Sequence, residues 1–317
     1  MKFFNRIFRK SRTNKDRYKT EKDKNNARTM APLIPKSIKP DDNEYLEKEF
    51  LIHEEPFEPI KTGFEELDKI LGGGFHPGVV MLGGATSIGK TAMGVHLMIE
   101  AAKQGKKVLY VSYELSKKQM WARVFGVCQK ASFKEILFDP NRNETCSEIY
   151  EQQIKRLAKN IRIEENLNYE DIMVSAQFYN LVVIDYLQRM RPITGDTNND
   201  KRIQIANLIQ KLQYNVASKN DVTVLVLSSL PRSAIAKPEM GMEYKESGDI
   251  EYTAQVAMML HYPKDFDQEH SMKTRYRFNN DDNPIMELSI CKNTIGQTGE
   301  INFKYTKNTG VFNEKYY

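Results

Sequence analysis

The sequence predicts an α/β fold, a mostly parallel central sheet flanked by helices on both faces. Three observations predict it. A Gly-rich loop, Gly84-Ala85-Thr86-Ser87-Ile88-Gly89-Lys90-Thr91, stands between an apolar strand and a helix. Strand and helix then alternate in order. Further aliphatic runs, Leu181 to Asp185 and Val222 to Ser228, read as buried strands.

Each element has a local reason. Thr62 reads as the cap of a short helix leading to Gly72-Gly73-Gly74, where the globular part begins. Val79-Val80-Met81-Leu82 is a buried strand, and Ala92 to Ala102 is the helix after the loop, ending at Gly105. Val108 to Tyr113 is a second strand. Ser116 and Gln119 form a capping-box pair for a helix that carries Trp121 and Val124. Residues 131–180 have weak periodicity, with a helix expected over Glu148 to Lys159 and a short strand at Ile161 to Ile163. Asp200 to Lys219, with apolar Ile203, Ile205, Leu208, Ile209, Leu212 and Val216, reads as a long amphipathic helix. Val256 to His261 is another strand, and Glu287 to Cys291 pairs with Glu300 to Tyr305 to close the sheet.

The 317 residues carry a formal charge of +5, unevenly spread. Residues 1–40 hold 13 Lys/Arg against 3 Asp/Glu. They are predicted to be a solvated basic arm that attracts DNA or an acidic partner surface. Residues 41–60 turn acidic and end in Pro56 and Pro59, a linker before a globular domain over 61–317. Three scattered cysteines suit a reducing cytoplasm, and no apolar run approaches the about 18 residues of a spanning helix. His96 is predicted to be packed, and the aromatic residues near the C-terminus to pack on the sheet rather than on bases.

The loop matches the phosphate-binding pattern, Gly, four residues, then Gly-Lys-Thr. Its glycines let successive backbone N–H groups point at phosphate oxygens, and the following helix N-terminus adds positive partial charge. In that chemistry Lys90 reaches the β- and γ-phosphates and Thr91 ligates Mg²⁺. Asp185, at the end of an aliphatic strand, is the acid that holds Mg²⁺. Glu114, at the end of the neighbouring strand, is placed to orient and deprotonate a water. The predicted ligands are a nucleoside triphosphate and Mg²⁺.

Four further stretches occur in one order: Tyr113-Glu114-Leu115-Ser116, Ile184-Asp185-Tyr186-Leu187-Gln188, Ser228-Ser229-Leu230-Pro231-Arg232-Ser233 and Lys245-Glu246-Ser247-Gly248-Asp249-Ile250-Glu251. Over roughly Lys61 to Phe312 the chain resembles the RecA-like motor domain of the bacterial replicative DNA helicase family (DnaB-type), a P-loop NTPase. Leu71 to Gly74 is also similar to the RadA and KaiC ATPases, while Tyr186-Leu187-Gln188 and Glu246-Ser247-Gly248 favour the helicase.

The resemblance implies that Lys90, Thr91 and Asp185 bind MgATP, that Glu114 is the catalytic glutamate and that Gln188 belongs to the nucleotide site. It implies DNA contact by Lys245, Glu246 and Gly248 in a channel loop, with Arg232 beside them. It implies that Lys292 reaches a neighbouring subunit's γ-phosphate in a homo-oligomeric ring, a hexamer in the family. Single-stranded DNA and replication proteins are the expected partners, and cytoplasmic replication the expected setting. The basic arm stands where the family has a helical domain that meets primase. Departures are specific. Ser229 replaces a Gln that senses γ-phosphate, Thr294 an arginine finger and Lys245 an arginine, and the segment from Glu164 to Leu181 is short. Three functional expectations follow: an ATP-dependent helicase or translocase, a nucleotide-gated or helicase-associated subunit with weak ATPase and no unwinding, and a RadA- or KaiC-like ATPase acting in recombination or signalling.

Overall fold

The computed structural model describes residues 58–138, 153–194, 200–229, 253–263 and 282–315. The basic arm, nearly all of the linker, residues 148–152 of one expected helix, and Arg232, Lys245, Glu246 and Gly248 lie outside them.

Helix α1 (Glu65–Ile70) precedes strand β1 (Gly78–Gly84), helix α2 (Lys90–Lys103) and strand β2 (Val108–Ser112). Helix α3 (Lys117–Gln129) starts with the expected Ser116–Gln119 capping box and leads into α4 (Phe133–Phe138). A short helix α5 (Lys155–Ala158) precedes β3 (Ile161–Glu165), α6 (Tyr169–Ser175) and β4 (Leu181–Asp185). Helix α7 (Lys201–Lys211) is followed by β5 (Thr223–Ser229), β6 (Val256–His261), β7 (Ile285–Asn293), β8 (Gly299–Thr306) and β9 (Val311–Glu314).

Among the described residues, nine strands form one sheet in the order β3-β2-β4-β5-β1-β6-β7-β8-β9. The first six are parallel, and the last three join antiparallel. Strand alternation divides the core. Val80, Leu82, Tyr110, Val183 and Leu227 pack under α2 and α3, while Val79, Met81, Val111, Ile184 and Val226 pack under α6 and α7. Burial on both faces is why these runs are continuously apolar. Parallel order also brings the carboxyl ends of β1, β2, β4 and β5 to one edge, with Gly84 level with Ser229 and Ser112 level with Asp185.

Two expectations need correction. Thr62 does not cap α1. Its amide and hydroxyl both donate to Asp68 Oδ1 at 2.7 Å, and the first-turn N–H groups of Glu65, Glu66 and Leu67 instead donate to the Glu314 carboxylate at 2.9–3.3 Å. The cap arrives from β9, remote in sequence. Nor is the helix after Asp200 one regular α-helix. Asp200 caps it by accepting from the Arg202 N–H, but Leu212–Ala217 widens to a π-helix before Ser218–Asn220. Leu212, Val216 and Ala217 stay buried there while Gln213 Oε1 accepts from the Val79 N–H at 2.8 Å. Strand β9 and helices α4 and α6 are additions to the expected order.

His96 is packed as expected, stacked on Phe64 with centroids 4.2 Å apart, and burial pushes its imidazole down to about 4. The C-terminal aromatics Phe303, Tyr305 and Phe312 are buried against the sheet. No helix among the described residues is long and apolar enough to cross a membrane.

Candidate nucleotide-binding site

The loop from β1 to α2 follows from backbone sterics. Gly84 has φ +154°, and a Cβ there would lie 2.6 Å from the Leu260 carbonyl oxygen. Gly89 has φ +114°, and its Cβ would meet Tyr305 Cε1 at 3.1 Å and Phe312 Cζ at 3.3 Å. The stacked Tyr305–Phe312 pair therefore floors the loop, which only glycine can cross at that closeness.

Lys90 opens α2, is 9% exposed, and donates from Nζ to the carbonyls of Gly84 (2.9 Å) and Ala85 (2.7 Å). Burial pushes its amine down to about 8, opposed by the charges of Asp185 and Glu114. Asp185 ends β4 and is 4% exposed. Burial raises its carboxyl. Hydrogen bonds from Tyr110 and Thr91 lower it, Glu114 raises it and Lys90 lowers it. The Tyr110 hydroxyl donates to Asp185 Oδ2 at 2.7 Å. Thr91, Lys90 and Asp185 thus converge at one sheet edge.

Glu114 follows β2 at that edge and is exposed. Its turn is fixed by buried Ser112, whose hydroxyl donates to the Leu115 carbonyl at 2.7 Å and accepts from the Leu115 N–H at 3.1 Å. The Tyr113 N–H donates to the Asp185 carbonyl at 2.8 Å, which ties this turn to β4.

Gln188 reaches the same edge, but its amide bonds Ser228 and Ser229 at the end of β5. The Ser229 hydroxyl lies 3.2 Å from that of Thr86 at the loop tip. Lys292 is not brought to this loop. It pairs with Ala257 near the start of β6, whereas Leu260 near the end of β6 pairs with Gly84. Thr294, just beyond β7, is exposed and donates its N–H to the Gln255 carbonyl. The contact between Tyr110 and Asp185 was not foreseen from the sequence. The available signal was a hydroxyl-bearing residue inside an otherwise aliphatic strand.

A parallel sheet with this loop on β1 and a buried acid ending β4 defines a RecA-like P-loop fold. The chain belongs to the DnaB-like helicase C-terminal domain family, which matches residues 59–314. A probable replicative DNA helicase of Trieres chinensis is 27% identical over 273 residues, covering 80% of this chain and 56% of its own length. Replicative DNA helicase DnaB of Buchnera aphidicola subsp. Acyrthosiphon pisum is 24% identical over 274 residues, covering 82% and 57%. The chain therefore spans a little over half the length of these relatives. Among solved structures, the ATPase domain of G40P superposes with a TM-score of 0.67 at 23% identity, covering 81% of this chain and 92% of that one. A DnaB-like replicative helicase, described with its interactions with primase, gives 0.67 at 22% identity, covering 86% and 67%. These two likenesses bear on the fold.

Proposed function

We propose that this chain is the ATP-hydrolysing motor of a replicative-type DNA helicase, working on single-stranded DNA as a homo-oligomeric ring in the cytoplasm. The observation that carries this reading is the convergence of Lys90, Thr91 and Asp185 beneath the Gly84–Thr91 loop at one sheet edge. The residues fit a nucleoside triphosphate. The Gly84 and Gly89 positions exclude side chains, and the buried Lys90 amine has loop carbonyl partners that phosphate oxygens can replace. The hydroxyl of Thr91 and the carboxylate of Asp185 are oxygen donors that suit Mg²⁺.

Bound Mg²⁺ supplies charge neutralisation for the transferring phosphoryl group. Lys90 adds a second positive charge from a site where low dielectric strengthens it. Glu114, exposed on a fixed turn, orients a water and accepts its proton. Gln188 links the end of β4 to β5 and, through Ser229, to the loop tip, so occupancy of the loop is felt along this edge. In this reading Arg232, Lys245, Glu246 and Gly248 follow the DNA backbone, a role that positive charge and a close-approach glycine suit. Lys292, away from its own loop, serves a neighbour's. Replication proteins would be further partners.

A second reading, a nucleotide-gated subunit with slow turnover, is favoured by Ser229 and Thr294. Neither offers the charge or the amide that the family has there, and an arginine finger is worth orders of magnitude in rate. Steady-state ATP hydrolysis with and without single-stranded DNA, with Lys90→Ala as blank, separates the two. Strong stimulation by DNA supports the motor. Tight binding with negligible turnover overturns it in favour of the gated subunit.

A further inference from the structure

We propose that Tyr110 is a positioning residue that pins the Asp185 carboxylate for divalent-cation binding, and that Gly94 exists in α2 to make room for it. The inference rests on the nucleotide reading above. Tyr110 lies in the middle of β2 with 0% exposure, among Val108, Leu109 and Val111. A hydroxyl buried at such a point is unfavourable unless it finds a partner. Its partner is Asp185 Oδ2 at 2.7 Å, itself in a buried carboxylate.

The helix opposite is shaped around the same hydroxyl. Gly94 sits inside α2 with ordinary helical backbone, where alanine would be favoured by propensity. A Cβ at that position would come 3.2 Å from the Tyr110 hydroxyl oxygen and 3.1 Å from Leu227 Cδ1. Two locally unfavourable choices, a buried phenol in a strand and a glycine in a helix, thus converge on one carboxylate. Asp185 is held on one side by Tyr110 and on another by Thr91. With one oxygen fixed, the carboxylate cannot rotate away from the cation position that it shares with Thr91. Neighbours that orient a ligand in this way typically change metal affinity 10- to 100-fold.

The test is binding of the fluorescent nucleotide mant-ATP to the full chain across a Mg²⁺ titration, with thermal melting as the check of folding. Tyr110→Phe keeps the ring and removes the hydroxyl. It is expected to raise the Mg²⁺ concentration for half-maximal binding about tenfold or more, while affinity measured in EDTA stays within about twofold. A purely structural role would weaken binding equally in both conditions, and that outcome overturns the proposal. So does an unchanged Mg²⁺ midpoint in the folded variant. If Tyr110→Phe does not fold, Gly94→Ala decides, because its methyl, 3.2 Å from the hydroxyl oxygen, makes the phenol give by a few tenths of an ångström and so loosens its bond to Asp185. The same Mg²⁺ shift supports the proposal, and none overturns it. Failure of the wild-type chain to bind mant-ATP at all would sink the nucleotide reading, whereas Mg²⁺-dependent binding with an insensitive Tyr110→Phe would sink the Tyr110 inference alone.

Discussion

Gln188 and Ser229 bond to each other in both directions: Gln188 Nε2 donates to the Ser229 carbonyl and the Ser229 N–H donates to Gln188 Oε1, each at 3.1 Å. Nε2 also donates to the hydroxyl of buried Ser228 at 2.8 Å. One amide therefore fastens the segment after β4 to the end of β5. Gln188→Ala removes all three bonds and leaves backbone groups without their partner. We expect it to lower stability by about 1–3 kcal/mol, read as a shift in urea midpoint at constant slope. A change below the error of that measurement would mean that the clamp is not populated in solution.

Lys90 gives a pH signature. Its amine is held at about 8, below the ordinary 10.5, because burial disfavours the charged form. The unfolded chain keeps this proton more firmly between these values. The contribution of Lys90 to stability therefore rises with pH across that window and is least favourable below about 8. Nucleotide binding needs the charge, so a proton must be taken up when binding occurs at pH 9 but not at pH 7. Calorimetry in buffers of different ionisation enthalpy should register that uptake, and affinity should fall about tenfold per pH unit above the amine's value. Binding without proton uptake at pH 9 would refute this.

Glu114→Gln should leave mant-ATP affinity within a few-fold while slowing hydrolysis about 10²- to 10⁴-fold. The side chain is exposed and its turn is held by Ser112 rather than by its own carboxylate, so the substitution leaves the turn intact. Equal loss of binding and turnover would argue against a proton-accepting role.

Two glycines with positive φ should rank by their surroundings. Gly105 has φ +79° and nothing within 4 Å of a built Cβ, so alanine there should cost only the left-handed backbone, about 1–2 kcal/mol. Gly84 adds a Cβ 2.6 Å from the Leu260 carbonyl oxygen. Gly84→Ala should be the more destabilising and should also abolish nucleotide binding. Thermal melts of the two variants, compared directly, check the order.

Glu314 accepts from three first-turn N–H groups of α1. Glu314→Ala should destabilise the protein by about 1–2 kcal/mol, in the range of lost helix caps, and Glu314→Gln, which keeps an acceptor but not the charge, by less. Hydrogen exchange at Glu65, Glu66 and Leu67 would show whether the first turn is released, and unchanged protection there would count against the cap.

Much of the fold was legible because its signals are local. β6 runs from Val256 to His261 as its apolar run suggested, and the Ser116–Gln119 capping box opens α3. Helix α6 carried a readable signal too, since Asn168 and Asp171 form a capping box, but the helix spans only seven residues and its period is weak. Thr62 misled because a hydroxyl before an acidic turn has the composition of a cap, whereas here it bonds the Asp68 side chain. The π-helical turn at Leu212–Ala217 leaves the apolar spacing nearly unchanged and so has no sequence signature.

By itself, the sequence determined the α/β class, the Gly84–Thr91 loop and the strand-end positions of Glu114 and Asp185. Steric permission, apolar periodicity and capping act between residues a few positions apart, and they survive without knowledge of neighbours. The tertiary structure alone decided the strand order that sets Ser112 beside Asp185 and Gly84 beside Ser229. It also decided that Tyr110 reaches Asp185 and that Glu314 caps a helix 249 residues before it. Such contacts join chain segments that meet only after the sheet has formed, when burial makes each unpaired hydroxyl, carboxylate and N–H seek whatever partner packing has brought near.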